Sequence, residues 1–211
     1  MVLFDFDGVL ANSLETCLAA CDTAARQQGC VAEFGSDTFA DLDPLTFEAL
    51  AERLGLEPIA FATDVSTAVK ANPVPSQPFA GVPQMIAALG ASHKLAVVSA
   101  SHSDVLSAFL KSNRLDASFQ HVLGGDKPGD KATKIKALLG DTISESDLFV
   151  GDAVSDVAAA HAVGIACCAV AWGWQPLERL IAHNPDYVAH DPFDIIAIAN
   201  ARLSSAKRSK A

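Results

Sequence analysis

The chain opens Met1-Val2-Leu3-Phe4-Asp5-Phe6-Asp7-Gly8-Val9-Leu10. Val2, Leu3, Phe4 and Phe6 form a short apolar run that reads as a buried strand. Asp5 and Asp7 stand where that run ends, and Gly8 follows at once. Residues two apart on a strand face the same way, so the two carboxylates project together and can share one cation or one reacting group. Acids beside a hydrophobic strand are costly unless a metal or a cationic partner compensates them. An aspartate at a strand end also commonly organises a turn. The pair alone leaves both readings open.

Working outward, the rhythm from Phe79 onward alternates helices and strands. Helical spacing covers Pro83–Leu89, Asp104–Leu110, Lys131–Leu139, Ser155–Val163, Leu177–Ile181 and Pro192–Ala201. Between them, Leu95–Val98, Val122–Leu123, Leu148–Val150 and Ile165–Val170 read as strands, and Tyr187–Val188 as extended. Such alternation predicts a doubly wound α/β core, a parallel sheet with helices on both faces.

Residues 13–78 break that rhythm and read as a helical insertion. Leu14, Leu18 and Cys21 share one helical face, as do Phe47, Leu50, Ala51 and Leu54. Asp43-Pro44 is expected to begin one helix, Gly55 and Pro58 to break it, and Ile59–Val69 to supply another. No strand pattern interrupts this stretch, and Pro73, Pro75 and Pro78 form a stiff exit. The expected organisation is a core of residues 1–12 and 79–211 with a small α-helical domain, residues 13–78, as its lid.

Composition narrows the function. The 211 residues are 50% hydrophobic and 19% charged, as in a globular chain. The 25 acids against 15 bases give a net charge of −10, which argues against nonspecific binding to nucleic acid or anionic membrane. An anionic substrate then needs local positive charge: a metal, a lysine or helix N-termini. No apolar run reaches the roughly 18 residues of a membrane span. The first residues lead straight into the strand without a signal-like segment, so the cytoplasm is the expected location. Cys17, Cys21, Cys30, Cys167 and Cys168 contain no Cys-x-x-Cys, which suggests neither a disulfide framework nor a zinc site. Cys17 and Cys21 read as small hydrophobes on a helix. The basic tail Lys207-Arg208-Ser209-Lys210 reads as a frayed, solvated end.

Four stretches carry a resemblance. Asp5-Phe6-Asp7-Gly8 leading into Ala11-Asn12-Ser13, then Val97-Val98-Ser99, then a lysine at Lys131 or Lys127, then Gly151-Asp152-Ala153-Val154-Ser155-Asp156 follow one another in order. Together they resemble the signature of the haloacid dehalogenase-like (HAD) hydrolase superfamily over nearly the whole chain. In that family an insertion after the first strand is a C1 cap, here of the helical kind. Trp172-Gly173-Trp174 with Asn184-Pro185-Asp186-Tyr187-Val188 is similar to the carboxyl-terminal part of phosphoglycolate phosphatase-like members.

The resemblance assigns roles. Asp5 would be the nucleophile that accepts a phosphoryl group, and Asp7 the general acid and base. An acid at Asp7 separates the family's phosphatases from its dehalogenases. Asp152, the Asp5 carboxylate and the Asp7 main-chain carbonyl would offer hard oxygen ligands to Mg²⁺. Asp156 would complete the outer shell of the metal or hold the lysine; it also suits the cap of a helix. Ser99 would donate to a phosphoryl oxygen, though a serine there also suits a turn. Lys131, leading a helix, is preferred as the electrostatic stabiliser, with Lys127-Pro128 the alternative; Lys134 and Lys136 read as a solvated helix face.

Asp5, Ser99 and Asp152 each end an apolar strand, where ligands of open parallel sheets bind. That their strands are neighbours is implied by the resemblance. His102 reads as a polar residue at a helix start. Trp172 and Trp174 suit core, interface or site edge, and Arg26, Arg53 and Lys70 suit solvated positions more than contacts with an anionic substrate. The activity implied is Mg²⁺-dependent hydrolysis of a small phosphorylated metabolite by a monomer or homodimer. The alternatives are a β-phosphoglucomutase-like transfer between sugar positions and a catalytically silent binding protein.

Overall fold

The computed structural model describes residues 1–72 and 76–208. The first strand, β1 (Val2–Phe4), leads through a tight turn into the two-residue β2 (Ala11–Asn12). Three helices follow: α1 (Leu14–Gln27), α2 (Phe47–Leu54) and α3 (Pro58–Ala71). Next come β3 (Gln77–Pro78), α4 (Val82–Gly90), β4 (Leu95–Val98), α5 (Ser103–Ser112) and β5 (Phe119–Leu123). The chain continues through α6 (Lys131–Leu139), β6 (Leu148–Gly151), α7 (Val154–Val163) and β7 (Ala166–Val170). It closes with α8 (Leu177–Ile181), β8 (Tyr187–Ala189) and α9 (Pro192–Arg208).

Six strands form one sheet in the order β5-β4-β1-β6-β7-β8, every neighbouring pair parallel. The alternation of strand side chains divides its core in two. Leu3, Ala96, Val98, Phe149 and Cys167 bury one face with Ile135 of α6 and Val157 of α7. Phe4, Val97, Val150 and Cys168 bury the other with Met85 of α4, Leu106 of α5 and Ile195 of α9. This is the doubly wound α/β arrangement expected from the sequence. Because β1 lies between β4 and β6, the chain winds first one way and then the other from it, and the sheet's switch point falls at the end of β1.

Helices α1 to α3 assemble a separate apolar cluster around Phe39, Leu50, Phe61 and Val65. Cys17 and Cys21 are buried in it as free thiols. Helix α2 begins at Phe47 rather than at Asp43-Pro44: Thr46 is its N-cap, accepting from the Ala49 N–H at 3.2 Å. A capping hydroxyl of this kind stabilises by about 1 kcal/mol and decides the starting point. Gly55 ends α2 in the left-handed conformation, φ 70°, and Pro58 opens α3.

The exit from these helices differs from the expectation of a plain linker. Gln77–Pro78 pairs antiparallel with Ala11–Asn12, so the way in and the way out of the insertion are hydrogen-bonded to each other. Pro73 and Pro75 lie outside the described residues. Lys207 and Arg208 belong to the last turn of α9 rather than to a frayed tail, and Lys210 lies outside the described residues. Among the described residues no helix is long and apolar enough to cross a membrane.

Candidate active site

Phe4 stands opposite Val97 of β4 on one side and Val150 of β6 on the other. Asp5, Ser99 and Asp152 leave these three adjacent strands within two residues of that register, so all three reach the same carboxyl-terminal end of the sheet. The adjacency that the resemblance implied is a property of the strand order. Asp5 makes one more sheet bond, its N–H donating to Val150 O at 2.9 Å, before the chain turns away.

The turn is tight. Phe6 O accepts the N–H groups of Val9, Leu10 and Ala11, and Gly8 has φ 76°, which glycine adopts without the steric cost of a side chain. Strand β1 therefore ends at Phe4, short of the strand through Phe6 expected from the apolar run, because the Phe6 carbonyl is engaged within the loop. Asp7 lies in this loop. Its Oδ1 accepts from Ser13 Oγ at 2.6 Å and its Oδ2 from Ser101 Oγ at 2.5 Å. Burial nevertheless raises its carboxyl to about 6, against the pull of the Ser101 and Ser13 hydroxyls.

Lys131 is the first residue of α6, positioned by Asp130, which caps the helix by accepting the Thr133 N–H at 2.8 Å. Its Nζ donates to Asp5 Oδ2 at 2.6 Å and to Asp156 Oδ1 at 2.5 Å. Burial alone would lower its pKa, but the charges of Asp156 and Asp5 outweigh that and hold the ammonium protonated. Asp156 is fully buried in the first turn of α7, and its Oδ2 accepts the N–H groups of Asp152 and Ala153, both at 3.1 Å. It thus caps the helix and orients the lysine at once. Lys127 stands apart, half exposed and 3.2 Å from Asp126.

Ser99 is buried, and its Oγ accepts the Ser101 N–H at 3.1 Å, leaving its own O–H to donate. Lys134 departs from the solvated helix face expected for it. It is only 7% exposed, with Nζ 3.5 Å from Ser99 O, because one turn of helix carries it to the sheet side of α6. Lys136 is exposed as expected. Reading the sequence did not single out Ser101, and it took Ser13 only as part of the first motif, without a role; spacing in the chain offers no sign that serines six and 94 residues away meet Asp7.

Asp152 accepts one hydrogen bond among the described residues, from the Trp174 N–H at 2.7 Å. Burial raises its pKa well above the carboxylate range, reinforced by the charges of Asp5 and Asp156. Asp5, Asp152 and Asp156 each bring an oxygen within 4.8 Å of the others. Three buried carboxylates against one nearby ammonium call for a further cation, and an all-oxygen donor set suits a hard ion such as Mg²⁺. The space around Asp152 is reserved by glycines. A Cβ on Gly8 would lie 2.0 Å from Asp152 Oδ2, and one on Gly173 would lie 2.1 Å from Asp152 Cβ. The residues present fit such an ion. Asp152 accepts on Oδ2 alone among the described residues, whereas Asp5, which accepts the Phe6 N–H at 2.7 Å and Lys131 Nζ, and Asp156 each have both oxygens hydrogen-bonded. Asp152 is therefore the first acid to offer a ligand, with Asp5 beside it at the end of the neighbouring strand.

Residues between β2 and β3 also line the site. Asp5, Asp7, Ser99 and Lys131 share a cavity of about 80 Å³ with Phe39, Phe47 and Ser66. Trp174 joins the two halves: it lines the cavity and stacks on Phe39 with ring centroids 4.7 Å apart. Beside it, Gln175 accepts the Val154 N–H at 2.8 Å and donates to Leu42 O at 2.5 Å. Trp172 instead donates to Val9 O at 3.2 Å. His102 caps α5 by accepting the Asp104 N–H at 3.2 Å. Arg26 and Arg53 form exposed pairs with Asp22 and Asp41 at 2.8 and 2.6 Å.

Residues 2–170 match the family model described as haloacid dehalogenase-like hydrolase. A phosphoglycolate phosphatase of Synechococcus elongatus is 29% identical over 206 residues, covering 92% of this chain and 94% of its own. One from Aquifex aeolicus is 26% identical over 213 residues, covering 96% and 98%. Among solved structures, a predicted phosphatase from Clostridium acetobutylicum superposes with a TM-score of 0.82 at 18% identity, covering 93% of this chain and 95% of its own. A predicted phosphoglycolate phosphatase from Haemophilus somnus does so with a TM-score of 0.76 at 22% identity, covering 94% and 96%. These superpositions establish the likeness of fold.

Proposed function

The chain belongs to the haloacid dehalogenase-like hydrolase family, and we propose that it is a Mg²⁺-dependent phosphatase that hydrolyses a small phosphomonoester through an aspartyl-phosphate on Asp5. The observation that carries this reading is that Asp5, with Lys131 Nζ 2.6 Å away, and a second acid, Asp7, line one cavity. The names of the two full-length relatives support the same substrate chemistry.

Each residue has a task in the two steps. Asp5 and Asp152 would hold a Mg²⁺, which would supply positive charge to offset that of the phosphoryl group. The Asp5 carboxylate attacks phosphorus as the bond to the leaving oxygen breaks, and Asp7 gives that oxygen its proton, so an alcohol departs. Asp7, now ionised, takes a proton from water; the water oxygen bonds to phosphorus, the Asp5–phosphorus bond breaks, and inorganic phosphate leaves. Lys131 and the Ser99 hydroxyl meet the charge that gathers on the equatorial oxygens. Asp156 keeps Lys131 aimed. Phe47, Phe39 and Trp174 keep bulk water from the intermediate.

The test is phosphate release from a panel of small phosphomonoesters, with and without Mg²⁺, by the intact chain and by Asp5→Asn. The reading predicts release that needs Mg²⁺ and disappears in the variant. Release that persists in Asp5→Asn, or none from any substrate, overturns it.

A further inference from the structure

We propose that this site selects phosphomonoesters whose leaving alcohol has an uncharged, apolar body, and that this body occupies a second cleft beside Asp7. The inference rests on the phosphatase reading above and names its substrate class. The second cleft has a volume of about 460 Å³, against about 80 Å³ for the cavity around Asp5. Asp7 and Ser101 line both, whereas Asp5, Ser99 and Lys131 line the smaller alone. A phosphoryl group at Asp5 therefore has its leaving oxygen at Asp7 and its carbon skeleton in the larger space.

Most of the surface that this space exposes is carbon, although polar side chains also line it. Phe6 and Phe109, packed edge to face with centroids 4.9 Å apart, form one side with Val105, and Phe47 and Val69 form the other. Several of the hydroxyls that line it donate within the protein. Ser66 donates to Ala62 O at 2.8 Å, Ser112 to Phe109 O at 2.9 Å, and Ser76 to Thr16 Oγ1 at 3.3 Å.

Charge points the same way. The cleft is lined by the acids Asp7 and Asp104; its lysine, Lys70, stands 3.9 Å from Asp104, and His102 spends Nδ1 on accepting the Asp104 N–H at 3.2 Å. No arginine lines it among the described residues. A leaving group bearing a carboxylate, such as glycolate, would enter beside Asp7 and compete with Asp104 for Lys70. An alkyl body would instead displace water from Phe6, Phe109 and Val69, a gain of about fourfold in kcat/KM per methylene buried, equivalent to ~0.8 kcal/mol.

The experiment compares methyl, butyl and hexyl phosphate with phosphoglycolate, using the full chain with Mg²⁺. The simple alkyl alcohols have similar leaving ability, so chain length isolates binding in the cleft. Expected is a stepwise rise in kcat/KM from methyl to hexyl, with hexyl phosphate exceeding phosphoglycolate by at least about tenfold. Ala108 lines the cleft and is exposed on α5, so Ala108→Trp should fold and should pull the hexyl-to-methyl ratio towards one. A flat or falling series, a preference for phosphoglycolate, or an unchanged ratio in Ala108→Trp overturns the inference and leaves the phosphatase reading standing. Release from none of the four fails that reading, and the inference falls with it.

Discussion

Lys131 Nζ lies 2.6 Å from Asp5 Oδ2, linking the first turn of α6 to the end of the central strand across 126 residues of sequence. The same ammonium reaches Asp156, so one cation organises two of the three clustered acids. Lys131→Met should lower kcat/KM by about 10²–10³, the usual loss when a positioned electrostatic donor is removed. It should also destabilise the metal-free chain by about 3 kcal/mol or more, because the acids it served stay buried. Lys131→Arg should not restore turnover, since a planar fork cannot occupy the place of a compact ammonium. Phosphate release and thermal unfolding check both parts.

Asp7 acts on the leaving oxygen, so its importance should track how much that oxygen needs a proton. Asp7→Asn should lose about 10²–10⁴ in kcat for an alkyl phosphate. It should lose far less for p-nitrophenyl phosphate, whose phenolate departs without help. Equal losses for both would assign Asp7 a structural task, held as it is by Ser13 and Ser101.

The fit of a cation can be read without turnover. A ligand that binds the folded chain alone stabilises it by about 2.7 kcal/mol at a hundred times its Kd. Mg²⁺ should therefore raise Tm in the wild type, and Asp152→Asn should abolish the rise. The glycines around Asp152 extend the prediction. In Gly173→Ala the new methyl meets Asp152 Cβ at 2.1 Å, so the Mg²⁺ concentration for half-maximal activity should climb and stability should fall by about 1–3 kcal/mol.

Away from the site, Asp186 joins the chain before β8 to β7. Its Oδ2 accepts the Cys167 N–H at 2.9 Å and lies 3.2 Å from His161 Nε2. Burial pushes this carboxyl up, but the Cys167 hydrogen bond and the His161 pair outweigh it and hold it below the usual range. A depressed folded pKa stabilises above the unfolded value near about 4, and that stability is lost as pH falls through the folded pKa. Asp186→Asn keeps the acceptor and removes the charge. Its unfolding free energy should fall below the wild-type value at about pH 5.5, by at most ~1 kcal/mol for so exposed a pair, and match it near about pH 2, as denaturant unfolding at the two pH values checks.

The parts legible in the sequence were those written locally. Apolar runs ending in Asp5, Ser99 and Asp152 marked three strand ends, and the helical spacing of Phe47, Leu50, Ala51 and Leu54 marked α2. What escaped was made by distant pairing or by rotation of a helix. The bond between Ala11–Asn12 and Gln77–Pro78 is a two-residue ladder with no period to detect. Lys134 is buried because α6 turns it towards Ser99 O, whereas Lys136, two residues on, faces solvent. The Trp172-Gly173-Trp174 stretch admitted three readings until Trp174 was seen stacked on Phe39 with its N–H on Asp152.

The central claim is that Asp5 carries the phosphoryl group, and the most direct measurement is to trap it there. Acid quenching during turnover of a phosphorus-labelled alkyl phosphate, followed by peptide mapping, locates any covalent label. The account predicts label on the peptide holding Asp5, formed and lost at rates compatible with turnover and missing from Asp5→Asn. Label on another residue, or undiminished turnover in Asp5→Asn, would contradict it.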